Sequence, residues 1–395
     1  MQAIATLSKS YSHYRSRIKK SRDVLQYART TSTEEMIFNI QQLVKLKNKK
    51  DIIRILRSLT SSSIWLSRSA FSVLKSYLDI SSMDNINMNC EKAQEILACV
   101  INKRIVDATD QEIFKTIYHE VMHSHLDHGY QSSLKVPKTN VTIVLVSGVF
   151  NEIFSTPAFK RGAETLLDKY NIKHIAPTVD GKKGAKDNSL ALKKQIELYM
   201  ANNPEERLWF FCFSKGGVDT LHFLRSKGEK LSSNIIGVSF VATPLMGSDH
   251  INNKILKIIN MLGKVPETIT KKFLGKEIDL IAGELQKSLS KNFRESWFKR
   301  NHTLLPSKPF YTAIAFQSDW HNSHIWMILT KAIFRSQKNN DGIVDVENAQ
   351  FPYYFSGINL GVLKGHHLVG SRSSFYDQEA LMKAHLIYLN YKKML

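Results

Sequence analysis

The stretch Leu208-Trp209-Phe210-Phe211-Cys212-Phe213-Ser214-Lys215-Gly216-Gly217 decides how the rest of the chain is read. An apolar, aromatic run suited to a buried strand stops at a serine, and two glycines follow before a helical pattern resumes at Val218. A strand that turns this sharply into a helix pushes the serine side chain out above the sheet. The glycines let the helix backbone pass close beneath it. A hydroxyl so presented can act as a nucleophile if a histidine base and a carboxylate arrive from elsewhere in the chain. A buried strand followed by an ordinary glycine-containing helix start has the same letters, so the segment alone leaves both readings open.

The flanking segments supply the context. From Val136-Pro137-Lys138 onward, short apolar runs alternate with helical patterns. Strands are predicted at Val141 to Val146, Lys173 to Pro177, Leu208 to Phe213, Ile235 to Ala242, Phe310 to Phe316 and Phe355 to Leu363. Helices fit between them at Ala158 to Tyr170, Leu190 to Ala201, Val218 to Ser226 and Ser323 to Ser336, and Asp377 to Tyr391 ends the chain as an amphipathic helix. Repeated β–α alternation with doubly apolar strands predicts a mostly parallel sheet covered by helices on both faces. The alternation breaks once. Between Asp249 and Pro306 only basic amphipathic helices are predicted, such as Ile255 to Leu262 and Ile278 to Leu289, as in a lid or substrate cap inserted over the sheet.

Residues 1–138 read as a basic, helical N-terminal region and residues 139–395 as the sheet domain. Ala93 to Ile101 carries apolar residues at helical spacing, and Asp110-Gln111-Glu112 opens a further helix. The 395 residues carry a formal net charge of +20, and the first 57 hold thirteen Lys/Arg against four acids. Charge of this sign attracts an anionic partner. A basic helical arm over Arg15 to Arg22 and Lys45 to Arg57 suits an anionic membrane surface or the wet face of a helical cap. Nucleic acid is disfavoured, because no reading motif or stacking platform accompanies the basic runs. Three scattered cysteines, Cys90, Cys99 and Cys212, exclude a disulfide framework and fit a reducing compartment. The opening residues lack the apolar stretch of a secretory signal, and no run of about 18 apolar residues is present. These features predict a cytoplasmic or peripheral membrane protein. They leave oligomeric state open.

Chemistry-bearing residues follow the serine in order. Asn339-Asn340-Asp341-Gly342-Ile343-Val344 sets a carboxylate in a tight turn, and Val362-Leu363-Lys364-Gly365-His366-His367-Leu368 releases two histidines at a strand end. Ser214, then Asp341, then a histidine is the order expected when all three sit at one end of a parallel sheet. Asp345 and Asp319 are substitute acids, and His366 is the alternative base. Val146-Ser147-Gly148-Val149-Phe150 follows the first strand, where a backbone amide, that of Val149, joins the amide of Lys215 in holding developing negative charge.

With these pieces assembled, the last two-thirds of the chain, from about Thr139 to Tyr391, resembles an α/β-hydrolase of the bacterial triacylglycerol lipase and esterase type. Val241-Ala242-Thr243-Pro244-Leu245-Met246-Gly247-Ser248 is similar to the Thr-Pro-x-x-Gly-Ser segment that precedes the helical lid in those proteins, and Asn188-Ser189-Leu190-Ala191, Asn340 to Val344 and His366-His367-Leu368 also match. The resemblance implies Ser214 as nucleophile, Asp341 as acid and His367 as base, His367 being preferred over His366 because an apolar residue follows it. It implies no cofactor and an ester substrate, a lipid-like one cleaved by a lipase, esterase or phospholipase. Two departures stand out. Cys212 occupies the first glycine position of the Gly-x-Ser-x-Gly pattern, where crowding is severe, and Ser147 stands where a histidine is common.

A competing motif, His119-Glu120-Val121-Met122-His123, matches the zinc-hydrolase pattern His-Glu-x-x-His, with Glu120 as a base and His125 and His128 nearby. No third ligand follows at the spacing of the long zinc-protease signature. The expectation is therefore no metal. A zinc hydrolase using His119, Glu120 and His123 is the lesser alternative, beside a catalytically silent hydrolase fold serving as a peripheral membrane-binding protein.

Overall fold

The computed structural model describes residues 88, 90–126, 130–148, 156–181, 183–231, 233–248, 287–318, 339–370 and 376–395. The basic arm, His128, Val149, Asp319 and the helices predicted over 255–262 and 323–336 lie outside the described residues, as does most of the one predicted over 278–289. Helices α1 (Glu91–Ile101) and α2 (Asp110–Leu126) precede the sheet. There follow β1 (Val141–Val146), α3 (Lys160–Tyr170), β2 (His174–Ile175), α4 (Ala185–Asn202), β3 (Arg207–Phe213), α5 (Lys215–Leu231) and β4 (Ile235–Val241). The chain continues through α6 (Lys291–Asn301), β5 (Phe310–Gln317), β6 (Ile358–Lys364) and α7 (Gln378–Tyr391). The six described strands form one sheet in the order β2-β1-β3-β4-β5-β6, and every pairing is parallel.

The alternation of side chains along β3 explains why both faces must be covered. Leu208, Phe210 and Cys212 join Leu192 and Ile196 of α4 and Leu221, Phe223 and Leu224 of α5 in one apolar cluster. Trp209 and Phe211 point the other way, where Trp209 lies 5.7 Å and Phe211 5.1 Å, ring centre to ring centre, from His385 of α7. A strand with period 2 and both faces apolar has no wet side, so it is stable only between two helical layers. Trp209, the largest of these side chains, also places its indole N–H against Ser239 Oγ at 2.9 Å, so its burial leaves no donor unpaired.

The compact unit holding the sheet reaches back beyond β1, comprising residues 84–121 with 133–395, and Met122–Ser132 falls outside it. Within that unit Phe114 of α2 meets His385 and Tyr388 of α7 edge-on, at 4.8 and 5.8 Å. Tyr118 donates its hydroxyl proton to Tyr376 at 2.8 Å, and Tyr388 donates to Asp110 at 2.7 Å.

The predicted elements differ from the observed ones mainly at their ends. β2 is only two residues long because Pro177 stops the run. β6 starts at Ile358 instead of Phe355, since Phe355 is drawn into an aromatic cluster with Phe298, Phe351 and Tyr311. The stretch after β4 is joined to the start of α6. Ser248 N–H donates to Leu289 O at 3.0 Å, and Ser248 and Ser290 form an isolated parallel bridge. The two ends of the interruption therefore leave and re-enter the body side by side.

Candidate active site

At the C-terminal end of β3 the backbone of Ser214 adopts φ 51°, a left-handed conformation rare for a residue with a side chain. Two contacts hold it there: Ser214 N–H donates to Val241 O at 3.0 Å, and Gly217 N–H donates to Ser214 O at 3.1 Å. The glycines that follow are needed for space. A Cβ on Gly216 would lie 2.4 Å from Val146 O, and one on Gly217 would lie 2.3 Å from Thr243 Oγ1. The first turn of α5 thus slides directly under the end of β1 and against the Thr243-Pro244 turn.

Cys212 fits where crowding was expected because it points into the α5 face. It is fully buried, and its Sγ donates to Thr220 Oγ1 at 3.3 Å while Thr220 donates to Gly216 O at 2.8 Å. Burial pushes its thiol up to about 12, which keeps it protonated and unreactive.

Asp341 and His367 arrive on two separate turns. The Asp341 Oδ1 atom accepts from Ile343 N–H at 2.9 Å and Val344 N–H at 2.8 Å, a turn closed on its own carboxylate. Its Oδ2 meets His367 Nδ1 at 2.7 Å, and its carbonyl accepts from His367 N–H at 2.8 Å. With Nδ1–H donating to the carboxylate, Nε2 is left to accept, and it lies 2.8 Å from Ser214 Oγ. Ser214, Asp341 and His367 are 6%, 1% and 0% exposed, so this hydrogen-bonded chain is screened little by water. His366 is engaged elsewhere, its Nδ1 accepting from Leu368 N–H at 3.1 Å. Asp345 pairs with Asn340 in an isolated bridge and precedes the 3₁₀ turn Val346–Ala349.

Above the serine, a Cβ on Gly148 would stand 2.8 Å from Ser214 Cβ, 3.2 Å from Ser214 Oγ and 3.3 Å from Lys215 N. Any side chain there would fill the space shared by the hydroxyl and the Lys215 amide. Ser147, in the position where a histidine is common, accepts from Ala158 N–H through its Oγ at 2.8 Å. It thereby ties the end of β1 to the approach of α3.

The sequence reading missed what lies beneath. The Lys215 side chain turns inward, 1% exposed, and its Nζ donates to both Asp219 oxygens at 2.9 and 2.8 Å. Asn188 donates to Asp219 Oδ2 at 2.8 Å. Arg294 of α6 is fully buried, its Nε donating to Leu245 O at 3.2 Å and its guanidinium carbon 4.7 Å from the Trp297 ring centre. Burial raises the Asp219 carboxyl to about 6 against the opposing pull of Lys215, Asn188 and Arg294. It lowers Arg294 to about 9. The available signal was the i,i+4 spacing of Lys215 and Asp219 on a helix whose opposite face is apolar.

The competing motif lies on α2. Glu120 is buried, whereas His123 is exposed and packs on Tyr130 with ring centres 4.4 Å apart. Among the described residues no three or more His, Cys, Asp or Glu side chains are grouped to hold a metal ion.

Structural comparison agrees with the topology. A metagenomic carboxyl esterase of solved structure superposes with a TM-score of 0.54 and 22% sequence identity, covering 67% of this chain and 80% of that one. This chain has the α/β-hydrolase fold. A Bacillus licheniformis lipase in its mature form is similar at a TM-score of 0.41 and 18% identity, over 63% of this chain and 91% of the lipase. No protein-family model matches the hydrolase-fold sequence, and no curated protein does. No helix among the described residues is long and apolar enough to cross a membrane.

Proposed function

We propose that the protein is a serine hydrolase of carboxylic esters. The observation that carries this reading is the unbroken chain Ser214 Oγ, His367 Nε2, His367 Nδ1 and Asp341 Oδ2, with contacts of 2.8 and 2.7 Å at the apex of a strained strand–helix turn. Isolated buried polar groups are costly, and a strained serine is retained where it serves a purpose. The carboxyl esterase of similar fold supports the same reaction class.

In this reading Ser214 Oγ attacks the ester carbonyl carbon as its proton passes to His367 Nε2. The carbonyl oxygen becomes an oxyanion facing the amide of Lys215. Asp341 stabilises the imidazolium without taking its proton. The bond to the leaving alcohol then breaks, His367 returns the proton to the departing oxygen, and the acyl group remains on Ser214. Water repeats the sequence with His367 as base, releasing the carboxylic acid and restoring the serine. A lipid-like ester at an anionic surface is the substrate class that the net charge of +20 favours.

The deciding experiment is labelling with a fluorophosphonate probe. Modification of the wild type at Ser214, absent in Ser214→Ala, is the expected result. Folded wild-type protein that takes no label would overturn the proposal in favour of a silent hydrolase fold. The substrate class is checked separately, by comparing hydrolysis of a long-chain ester with and without anionic vesicles. Equal rates, with no vesicle binding, would remove the surface from the reading and leave the esterase.

A further inference from the structure

The residue after the nucleophile contributes more than an amide. Lys215 opens α5, so its N–H belongs to the first turn, where no carbonyl of the same helix can accept it. The position of Gly148 places that N–H and the Ser214 hydroxyl against one small space, 3.3 and 3.2 Å from the same point. An amide at a helix terminus is ordinarily free to fray. Here the side chain of the same residue is anchored one turn further in, by two bonds of 2.9 and 2.8 Å to Asp219. Asp219 is in turn held by Asn188 at 2.8 Å, and Asn188 donates to Asp180 O at 2.8 Å while accepting from Asp180 N–H at 3.2 Å. The anchor therefore spans two helices and the backbone before α4.

We infer that Lys215 is a positioning residue: its buried side chain, locked to Asp219 and Asn188, fixes the Lys215 amide where the oxyanion forms. The inference rests on the ester-hydrolase reading for its chemistry but on geometry for the lock. A purely structural ion pair is a poor explanation, because replacing a buried pair by apolar residues of similar size is often neutral or stabilising. The pair is placed instead where a displacement of a few tenths of an ångström weakens a hydrogen bond to developing charge. Arg294 adds a second cation on the Asp219 side, so the carboxylate faces two positive groups and an amide donor.

The test is the double substitution Lys215→Met/Asp219→Leu, which removes both charges of the pair together, with Asp219→Leu alone as the control for what Arg294 loses. Two readouts are taken on the full chain: hydrogen exchange of the amides at 214–217 against those of β3, and kcat and KM on a soluble short-chain ester. Exchange at 214–217 is expected to rise at least about tenfold with β3 unchanged, and kcat to fall about 10- to 100-fold with KM within about twofold, because an oxyanion donor acts in the transition state. Unchanged exchange and unchanged kcat would overturn the inference, as would an equal rise in exchange throughout β3, which marks a general structural role. If the double variant does not fold, Asn188→Ala removes the bond to Asp219 together with both bonds to Asp180, leaves the Lys215–Asp219 pair, and must move the same two readouts in the same direction, less steeply. A wild type with protected 214–217 amides, exposed by the double substitution, but with no esterase activity sinks the enzymatic reading while leaving the lock standing.

Discussion

At Ser214 the chain accepts a backbone conformation that costs of order 1–3 kcal/mol in isolation. Its neighbours on β4 and α5 hold it there. Asp341 is over-determined in another way, since two turn amides bind Oδ1 and leave Oδ2 for the histidine. Asp341→Asn preserves the shape but presents an amide that favours the wrong His367 tautomer. We expect kcat to fall by about 10³- to 10⁴-fold, with thermal stability altered far less than activity. Steady-state kinetics beside a melting curve check this. Cys212→Gly restores the usual small residue at the turn and removes a buried side chain with its bond to Thr220. Stability should drop by about 1–2 kcal/mol in a urea titration, with kcat within about threefold of wild type, because the thiol touches no reacting atom. A kcat loss above about tenfold would show that Cys212 shapes the turn itself. The Asp-Gly turn and the paired histidines were legible in sequence because a carboxylate in a tight turn and a histidine at a strand end are local features. The inward Lys215 was not, since a lysine beside a serine at a strand–helix turn reads as solvent-facing until the helix is seen to be covered on both sides.

At the scale of elements, β3 and α5 are joined with no room to spare. Gly216→Ala sets a Cβ 2.4 Å from the Val146 carbonyl, a fixed backbone atom, so either β1 or the helix must move. Loss of at least about 3 kcal/mol of stability and of probe labelling at Ser214 is expected, beyond the ordinary cost of overpacking. Labelling at the wild-type rate would mean that the turn tolerates the shift. The order of strands and helices was legible because parallel, doubly covered strands read as continuous apolar runs bounded by turns. Boundaries were less so. α4 begins at Ala185 instead of Leu190 and α5 at Lys215 instead of Val218, because buried Asn188, Lys215 and Asp219 interrupt the apolar spacing that a pattern relies on. The packing of α2 against α7 and the turn before it was hidden for a related reason: hydroxyl partners 258 and 278 residues apart leave no local signature.

At the scale of the whole molecule, two histidines among the described residues, His385 buried and His222 half-buried, contribute to the response to acid. His385, enclosed by Phe114, Trp209 and Phe211, is lowered to about 4 by burial, against the raising effect of its Nδ1–H bond to Leu381 O at 2.9 Å. His222, stacked on Trp297 with ring centres 4.4 Å apart, is lowered to about 3 by burial and by Arg294, Arg225 and Lys215. Both folded values lie below the ordinary 6.5, so the unfolded chain binds protons first as pH falls. Their stabilisation is complete above pH 6.5 and is lost progressively toward pH 4 and below, by roughly 3 kcal/mol for His385 alone. Asp219, raised to about 6, works the other way between about 4 and 6 and blunts the loss. Urea midpoints measured from pH 7 to pH 4 should therefore fall, and His385→Leu should flatten that slope. A slope unaltered in the variant would place the acid lability elsewhere.

The bond from Ser248 to Leu289 has a consequence for how such a protein can change. The chain leaves the body at Ser248 and re-enters it alongside, at Leu289 and Ser290. Lengthening a closed excursion adds only a logarithmic entropic cost. A version with residues 250–286 replaced by a short glycine-rich bridge should still unfold cooperatively and still take the fluorophosphonate label. Ser248 and Leu289 thus mark a seam at which the chain can be cut and rejoined, because the two ends already meet there.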